Sequence, residues 1–154
     1  NNVCNSLMLG CATMGSHFTA AVPPGYEPPG ELVELARRRA GESGGSVRIL
    51  HDPREAVSGA EVVYTDVFVS MGKEEEREKR KRDFQGFQVN SGLLSLADEE
   101  VIFMHCLPAH RGEEVTDEVM DGPHSVVFDQ AENRLHAQKA VLFKLLSGRA
   151  RSSP

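Results

Sequence analysis

The sequence predicts an α/β protein: a parallel sheet with helices on both faces, a three-layer α/β/α arrangement of Rossmann-like type. Three observations carry that expectation. Short β-type runs alternate with helical stretches along nearly the whole chain. Residues 101–105 (VIFMH) are continuously apolar, the pattern of a strand buried on both faces of a parallel sheet. Finally, 154 residues with 40% hydrophobic content make about one domain of chain, long enough to enclose a core without metals or disulfides.

The elements follow in order. Residues 2–14 place Val3, Leu7, Met8, Cys11 and Met14 at helical spacing, and Gly15 can end that helix. Residues 17–22 are a β-type run, closed by the turn-rich segment 23–30 (PPGYEPPG). Residues 31–40 form an amphipathic helix with Leu32, Leu35 and Ala36 inside and Arg37, Arg38 and Arg39 mostly outside. Gly44-Gly45 lead into a second strand at 47–50; a short helix at 53–57 and a third strand at 62–65 follow. Residues 73–85 read as a highly charged helix. Its acids come early (Glu74, Glu75, Glu76) and its bases late (Lys79, Arg80, Lys81, Arg82), as the helix dipole favours, with pairs Glu75–Lys79 and Glu76–Arg80 at i,i+4. A solvated face explains this run better than a binding patch. After the strand at 101–105 come a helix at 113–120, a strand at 125–128 and a long final helix at 132–146.

Charge and composition exclude several functions. Against 17 basic residues stand 23 acidic ones, a net charge of −6, which disfavours nucleic acid and anionic lipid as partners. No apolar run approaches the ~20 residues of a membrane helix, and no signal-peptide pattern is visible. Three scattered cysteines, Cys4, Cys11 and Cys106, suit a reducing compartment, and the cytoplasm is expected. No Gly-x-Gly-x-x-Gly follows any strand, so a dinucleotide cofactor is not expected.

In parallel α/β sheets ligands bind beyond the carboxyl ends of the strands, so the polar residues there are the candidates for a site. After the third strand stands Asp66-Val67-Phe68-Val69-Ser70-Met71-Gly72. A carboxylate at a strand tip suits an ammonium group, and Ser70 suits polar substrate atoms. The same pattern also reads as a helix start, with Ser70 the cap and Asp66 a turn residue. After residues 101–104 stands His105-Cys106-Leu107-Pro108-Ala109-His110-Arg111-Gly112. A thiol beside two histidines and an arginine can be tuned in acidity, and Pro108 favours an extended Leu107 whose carbonyl turns toward a cleft. An inert buried cysteine and a plain loop remain alternatives. A metal site of His105, Cys106 and His110 is a poor one, because sequence neighbours rarely reach one ion. Before the last helix, Asp129-Gln130-Ala131-Glu132-Asn133-Arg134 places Arg134 in an opening turn. A cation there opposes the dipole, yet a helix start with a guanidinium clamps an anion or carbonyl; the alternative is a salt bridge to Asp129 or Glu132. Asn1-Asn2 open the first helix, where Asn is also a favoured cap. Four polar clusters converging on one edge favour a site for a small polar substrate.

These segments, in this order, resemble ornithine carbamoyltransferases, and specifically their carboxy-terminal, amino-acid-binding half. The resemblance rests on 1–6 (NNVCNS), 65–72 (TDVFVSMG), His105-Cys106-Leu107-Pro108 and 131–134 (AENR), and it runs across nearly the whole chain. It implies that Asn2, Asp66, Ser70 and Met71 hold the α-amino and carboxylate groups of L-ornithine, and that Cys106 lies near the side-chain amine as proton acceptor. It further implies that the main-chain carbonyls of Cys106 and Leu107, with the Arg134 side chain, contact the carbamoyl group of carbamoyl phosphate. The implied reaction is attack by the neutral δ-amine on the carbamoyl carbon, giving citrulline and phosphate, a step of arginine metabolism needing no cofactor and no metal. The family's Ser-x-Arg-Thr-Arg phosphate loop and His-Pro-x-Gln segment belong to an amino-terminal domain and occur nowhere in these residues. The strand ending in Gly-Asp-Gly that precedes the paired Asn is likewise not found, and the chain opens at Asn1 without Met. The expectation is therefore a domain spanning 1–154 that lacks its first central strand, works with an amino-terminal half, and belongs to a homotrimer or a multiple of trimers. Phe68 stands where Trp is frequent in the family, and Ala109-His110-Arg111-Gly112 is a variant continuation of the Leu-Pro turn. The competing readings are a sister carbamoyltransferase acting on putrescine, acylated ornithine or aspartate, and a binding-only fragment; aspartate enzymes carry Pro where Cys106 stands. Leu135, Ala140, Leu142, Phe143, Leu145 and Leu146 spread over more than one side of the last helix, so that helix is expected to meet a partner domain.

Overall fold

The structure, a computed structural model, describes residues 1–69 and 74–147. Asn1 accepts the Cys4 amide through its side-chain oxygen (2.9 Å) and starts helix α1, Asn2–Met14. Gly15, at φ 79°, ends it in the left-handed conformation that glycine adopts at least cost. Strand β1, His17–Ala21, then runs parallel to β2, Ser46–Leu50, with Phe18 opposite Val47. Between them lies helix α2, Gly30–Ser43, longer at both ends than the sequence pattern suggests. Met8, Ala12, Val33, Ala36, Ala40 and Val47 form the core joining α1, α2 and this strand pair, with Phe18 and Ile49 packed against it. The fit is tight where α1 and α2 end. A Cβ on Gly15 would lie 2.6 Å from the Ser43 carbonyl oxygen, and one on Gly45 would lie 2.5 Å from that of Ser16. Arg48, on the other face of β2, reaches Glu55 (2.8 Å) of helix α3, Pro53–Val57, so helices cover both faces of this pair.

A second parallel pair is formed by β3, Val62–Thr65, and β4, Ile102–His105, with Val63 opposite Phe103. Val57, Val63, Leu93, Leu94, Val115, Val119 and Val127 close around the fully buried Phe103 as a second core. The α/β class with parallel strands and helices is thus present, but the strands form two pairs that share no ladder among the described residues.

Several boundaries differ from expectation. The charged segment is a 3-10 turn, Glu74–Glu76, followed by helix α4, Arg77–Asp83, which buries no residue. Its Glu76–Arg80 pair forms at 2.9 Å, whereas Lys79 pairs with Asp83 rather than Glu75. A short helix α5, Ser91–Leu94, starts at Asn90, whose side chain accepts the Leu93 amide; no hydrophobic period announced it. Only Asp117–Met120 of the helix expected at 113–120 is helical (α6). The preceding residues are drawn off by a bridge between Val89 and Val115, with the Val89 amide donating to the Glu114 carbonyl (2.9 Å). The expected strand at 125–128 is a single bridge from Ser125 to Phe103. Helix α7, Val127–Ser147, takes over at once, because the Gln130 amide bonds back to the Val126 carbonyl (2.8 Å) and Val127 is fully buried. Arg134 therefore sits two turns inside α7 rather than in its opening turn, and the helix-start argument for its charge does not hold. No helix among the described residues is long and apolar enough to cross a membrane.

Candidate active site

The carboxyl ends of β3 and β4 lie side by side because the two strands are parallel neighbours, and this alone brings Asp66 and Cys106 together. The Cys106 thiol donates to Asp66 Oδ1 (3.0 Å), the oxygen that also accepts the Val67 amide (2.8 Å). Burial, then the Asp66 carboxylate as acceptor and as negative charge, push the Cys106 thiol up to about 11. Tyr64, one residue before the end of β3, is pushed up to about 12 by burial first and by its neighbour Cys106 second. Burial also raises the Cys4 thiol on α1, and the Asp66 charge adds to that rise. Cys106 is thus half-buried and hydrogen-bonded to a carboxylate at a cavity wall.

A cavity of about 280 Å³ opens here, lined by Val3, Tyr64, Cys106, Gln130, Ala131 and Arg134, with His105 at its base. A larger one, about 300 Å³, lies at the opposite, amino end of β4 near Val101 and contains none of the strand-end candidates. Ligand sites of parallel sheets belong at the carboxyl ends, which favours the first. Arg134 is exposed and has no ion-pair partner among the described residues; the salt bridges considered to Asp129 or Glu132 do not form, and Glu132 lies 3.5 Å from His136 instead. Asn2 is exposed in the first turn of α1, beside the cavity-lining Val3. Its neighbour Asn1 does the capping, which leaves the Asn2 amide for other contacts. Ser70 and Met71 lie outside the described residues.

The loop after β3 is held from behind by aromatic packing. Phe68 stacks on Phe84 (4.7 Å between centroids), and Phe84 meets Tyr26 edge-on (4.9 Å). Arg80 lies over the Tyr26 ring and donates to the Phe68 carbonyl (3.3 Å). The Cys106 loop differs from expectation at Leu107, which is left-handed (φ 55°) rather than extended. The Leu107 amide finds its acceptor in the ring of His105 (Nδ1, 2.9 Å), which holds the turn in that form.

Two cavity-lining residues escaped the sequence pattern. Gln130 donates to the Tyr64 hydroxyl (3.2 Å) and accepts the His105 amide (3.0 Å), tying α7 to both strands. Its only signal was its place one helical turn before Arg134. Tyr64 gave none beyond its strand. As for metals, His110, Glu113 and Glu114 bring ligand atoms within 4.8 Å of one another. Glu113 is already neutralised by Arg77 (2.7 Å) and Lys81 (3.0 Å), so this cluster fits a cation poorly. Cys106, hydrogen-bonded to the Asp66 carboxylate behind it, and Arg134, without an ion-pair partner among the described residues, line one cavity that Asp66 itself does not line. It suits an amine on one side and a carbonyl or anion on the other.

The family model described as aspartate/ornithine carbamoyltransferase, Asp/Orn binding domain, matches residues 1–145. The ornithine carbamoyltransferase of Methanothermobacter thermautotrophicus is 60% identical over 146 residues, covering 95% of this chain and 48% of the relative. That of Pyrococcus horikoshii is 57% identical over 148 residues, covering 96% of this chain and 47% of its own length. The solved ornithine carbamoyltransferase of Pyrococcus furiosus superposes with a TM-score of 0.86 at 56% identity, covering 90% of this chain and 44% of that one. The anabolic enzyme of Campylobacter jejuni gives 0.90 at 38% identity, covering 94% and 48%. The chain spans about half the length of the curated relatives it matches.

Proposed function

This chain belongs to the aspartate/ornithine carbamoyltransferase family, and on that premise we propose that residues 1–154 supply the ornithine-binding half of an ornithine carbamoyltransferase site. Asn2, Asp66, Ser70 and Met71 hold the amino-acid end of L-ornithine. The δ-amine faces Cys106, and the carbamoyl group of carbamoyl phosphate lies against the Cys106 and Leu107 carbonyls and Arg134. The observation that carries this is the Cys106–Asp66 hydrogen bond at the ends of neighbouring parallel strands, on a cavity shared with Arg134.

The chemistry has three demands: an unprotonated amine, a polarised carbonyl and a stabilised leaving phosphate. Attack forms the C–N bond, collapse breaks the C–O bond to phosphate, and one amine proton must leave. Because Cys106 keeps its own proton up to about pH 11, it cannot act as a free thiolate base near neutrality. It accepts the amine proton only as its own passes to Asp66, so the pair acts as one acceptor. Arg134 polarises the carbonyl. The leaving phosphate is the task of an amino-terminal half with its own anion-binding loop, and the assembled enzyme is a trimer or a multiple of trimers in the cytoplasm.

Fusing this chain to the amino-terminal half of the Pyrococcus furiosus relative and measuring phosphate release together with the carbamoylated amine, citrulline for ornithine, tests the proposal. Turnover should depend on ornithine and carbamoyl phosphate, with aspartate, putrescine and acetylornithine at least about tenfold slower, the discrimination expected of a site with fitted polar contacts. Equal or faster turnover of one of those amines would assign the site to a sister reaction. No turnover, together with no calorimetric heat from ornithine, would overturn the proposal.

A further inference from the structure

We propose that Glu114 is a positioning residue for the Cys106–Leu107 loop, acting through the ring of His105. Both side chains are buried, and Glu114 is not among the residues that line the cavity. A backbone amide can only donate, so the Leu107 N–H at 2.9 Å requires His105 Nδ1 to be the bare, accepting nitrogen. The ring proton then sits on Nε2, and Glu114 Oε1, 3.3 Å away, is the acceptor that keeps it there. Were the proton on Nδ1, two N–H groups would face each other and the Leu107 turn would lose its acceptor. That turn needs one: Leu107 is a bulky residue at φ 55°, a left-handed conformation unfavourable for any residue with a Cβ.

The same Glu114 oxygen also accepts the His110 amide. One carboxylate oxygen thus ties both ends of the loop 105–110, with Cys106 and Leu107 between them. Glu114 is itself anchored, since its carbonyl accepts the Val89 amide and the next residue, Val115, is fully buried. Its second oxygen, Oε2, has no hydrogen-bond partner among the described residues and lies 3.8 Å from His110 Nδ1. The function requires an acceptor at Oε1, not a second charged oxygen, so glutamine should serve in its place.

For catalysis this inference rests on the function proposed above, but its central test does not. In the full chain, Glu114→Gln and Glu114→Met keep the side-chain length, and only Gln keeps the acceptor. Nitrogen-15 NMR of His105 should show the Nε2–H tautomer in the unsubstituted chain and in Glu114→Gln, and its loss in Glu114→Met. The Leu107 amide should exchange about tenfold faster in Glu114→Met, the change expected on losing one hydrogen bond. Should Glu114→Met fail to fold, His105→Asn, which retains an acceptor at the Nδ1 position, should protect the Leu107 amide, and His105→Gln should not. In the fused enzyme, Glu114→Met should lower kcat for citrulline more than tenfold and Glu114→Gln should restore most of it. An unchanged tautomer and unchanged exchange in Glu114→Met, or equal protection in the two His105 variants, would overturn the inference. If no fused protein makes citrulline while the tautomer and exchange results hold, the proposed function fails and the positioning role stands.

Discussion

At the scale of single residues, the main feature is a thiol that shares its proton with a carboxylate. Asp66 contributes to holding Cys106 protonated, both as hydrogen-bond acceptor and as negative charge, although burial contributes most. Replacing Asp66 with Asn removes the charge and the stronger acceptor, so the Cys106 thiol should become more acidic while remaining above its ordinary value. Alkylation of Cys106 by iodoacetamide at pH 8, followed by peptide mass spectrometry, should then be several-fold faster in Asp66→Asn, because the thiolate is the reacting form. An equal rate would mean that the carboxylate does not act on the thiol. That Asp66 and Cys106 stand at strand ends was legible in the sequence, and the parallel pairing of β3 and β4 brings them together. That Cys106 is a protonated donor rather than a ready base was not legible, because acidity depends on which groups from distant elements surround the sulfur.

At the scale of elements, α7 is rotated into place by Gln130. The side chain bridges the His105 amide and the Tyr64 hydroxyl, so α7 cannot turn about its axis without breaking two hydrogen bonds. Arg134, one turn further on, faces the cavity as a consequence. Gln130→Ala should cost about 1–3 kcal/mol in urea denaturation, because it strands a partly buried amide and hydroxyl. A loss under about 0.5 kcal/mol, the size of an ordinary surface substitution, would remove this role. The strand expected at 125–128 shows why sequence patterns mislead here. Ser125-Val126-Val127-Phe128 is a β-type run by composition, but β4 takes one bridge from Ser125 and Val127 is buried as the first residue of a helix. Likewise, the aromatic packing of Phe68 on Phe84 joins the loop after β3 to the end of α4, across a charged run with no hydrophobic period.

At the scale of the whole molecule, two cores divide the chain, one around Met8 and Ala36 and one around Phe103, with Val57 of α3 packing into the second while α3 lies against the first strand pair. On α7, Leu142 and Phe143 are 58% and 73% exposed, as are Leu145 and Leu146 at 68% and 79%. The apolar residues from which a partner domain was expected are thus uncovered along α7. Global stability should also show the site's electrostatics. Cys106 and Tyr64 both bind their protons more tightly in the folded chain, so their contribution is complete below pH 9.0 and is lost as pH rises toward about 11 and about 12. Urea midpoints should fall across that window, and Cys106→Ser, which does not titrate there, should flatten the earlier part of the fall; an equal slope in both proteins would remove the Cys106 contribution. The alternation of helices and strands from α1 to β3, the ends of α1 and the strand-end places of Asp66 and Cys106 were determined by the sequence alone, because helical and strand periods, caps and glycines act over a few neighbouring residues. The division of strands into two pairs, the left-handed Leu107, the start of α7 and the roles of Tyr64, Gln130 and Glu114 were decided only by tertiary structure. The strand pairs, Tyr64 and Gln130 depend on partners tens of residues away, and Leu107, the start of α7 and Glu114 depend on how the folded chain orients groups a few residues apart; no local pattern encodes either.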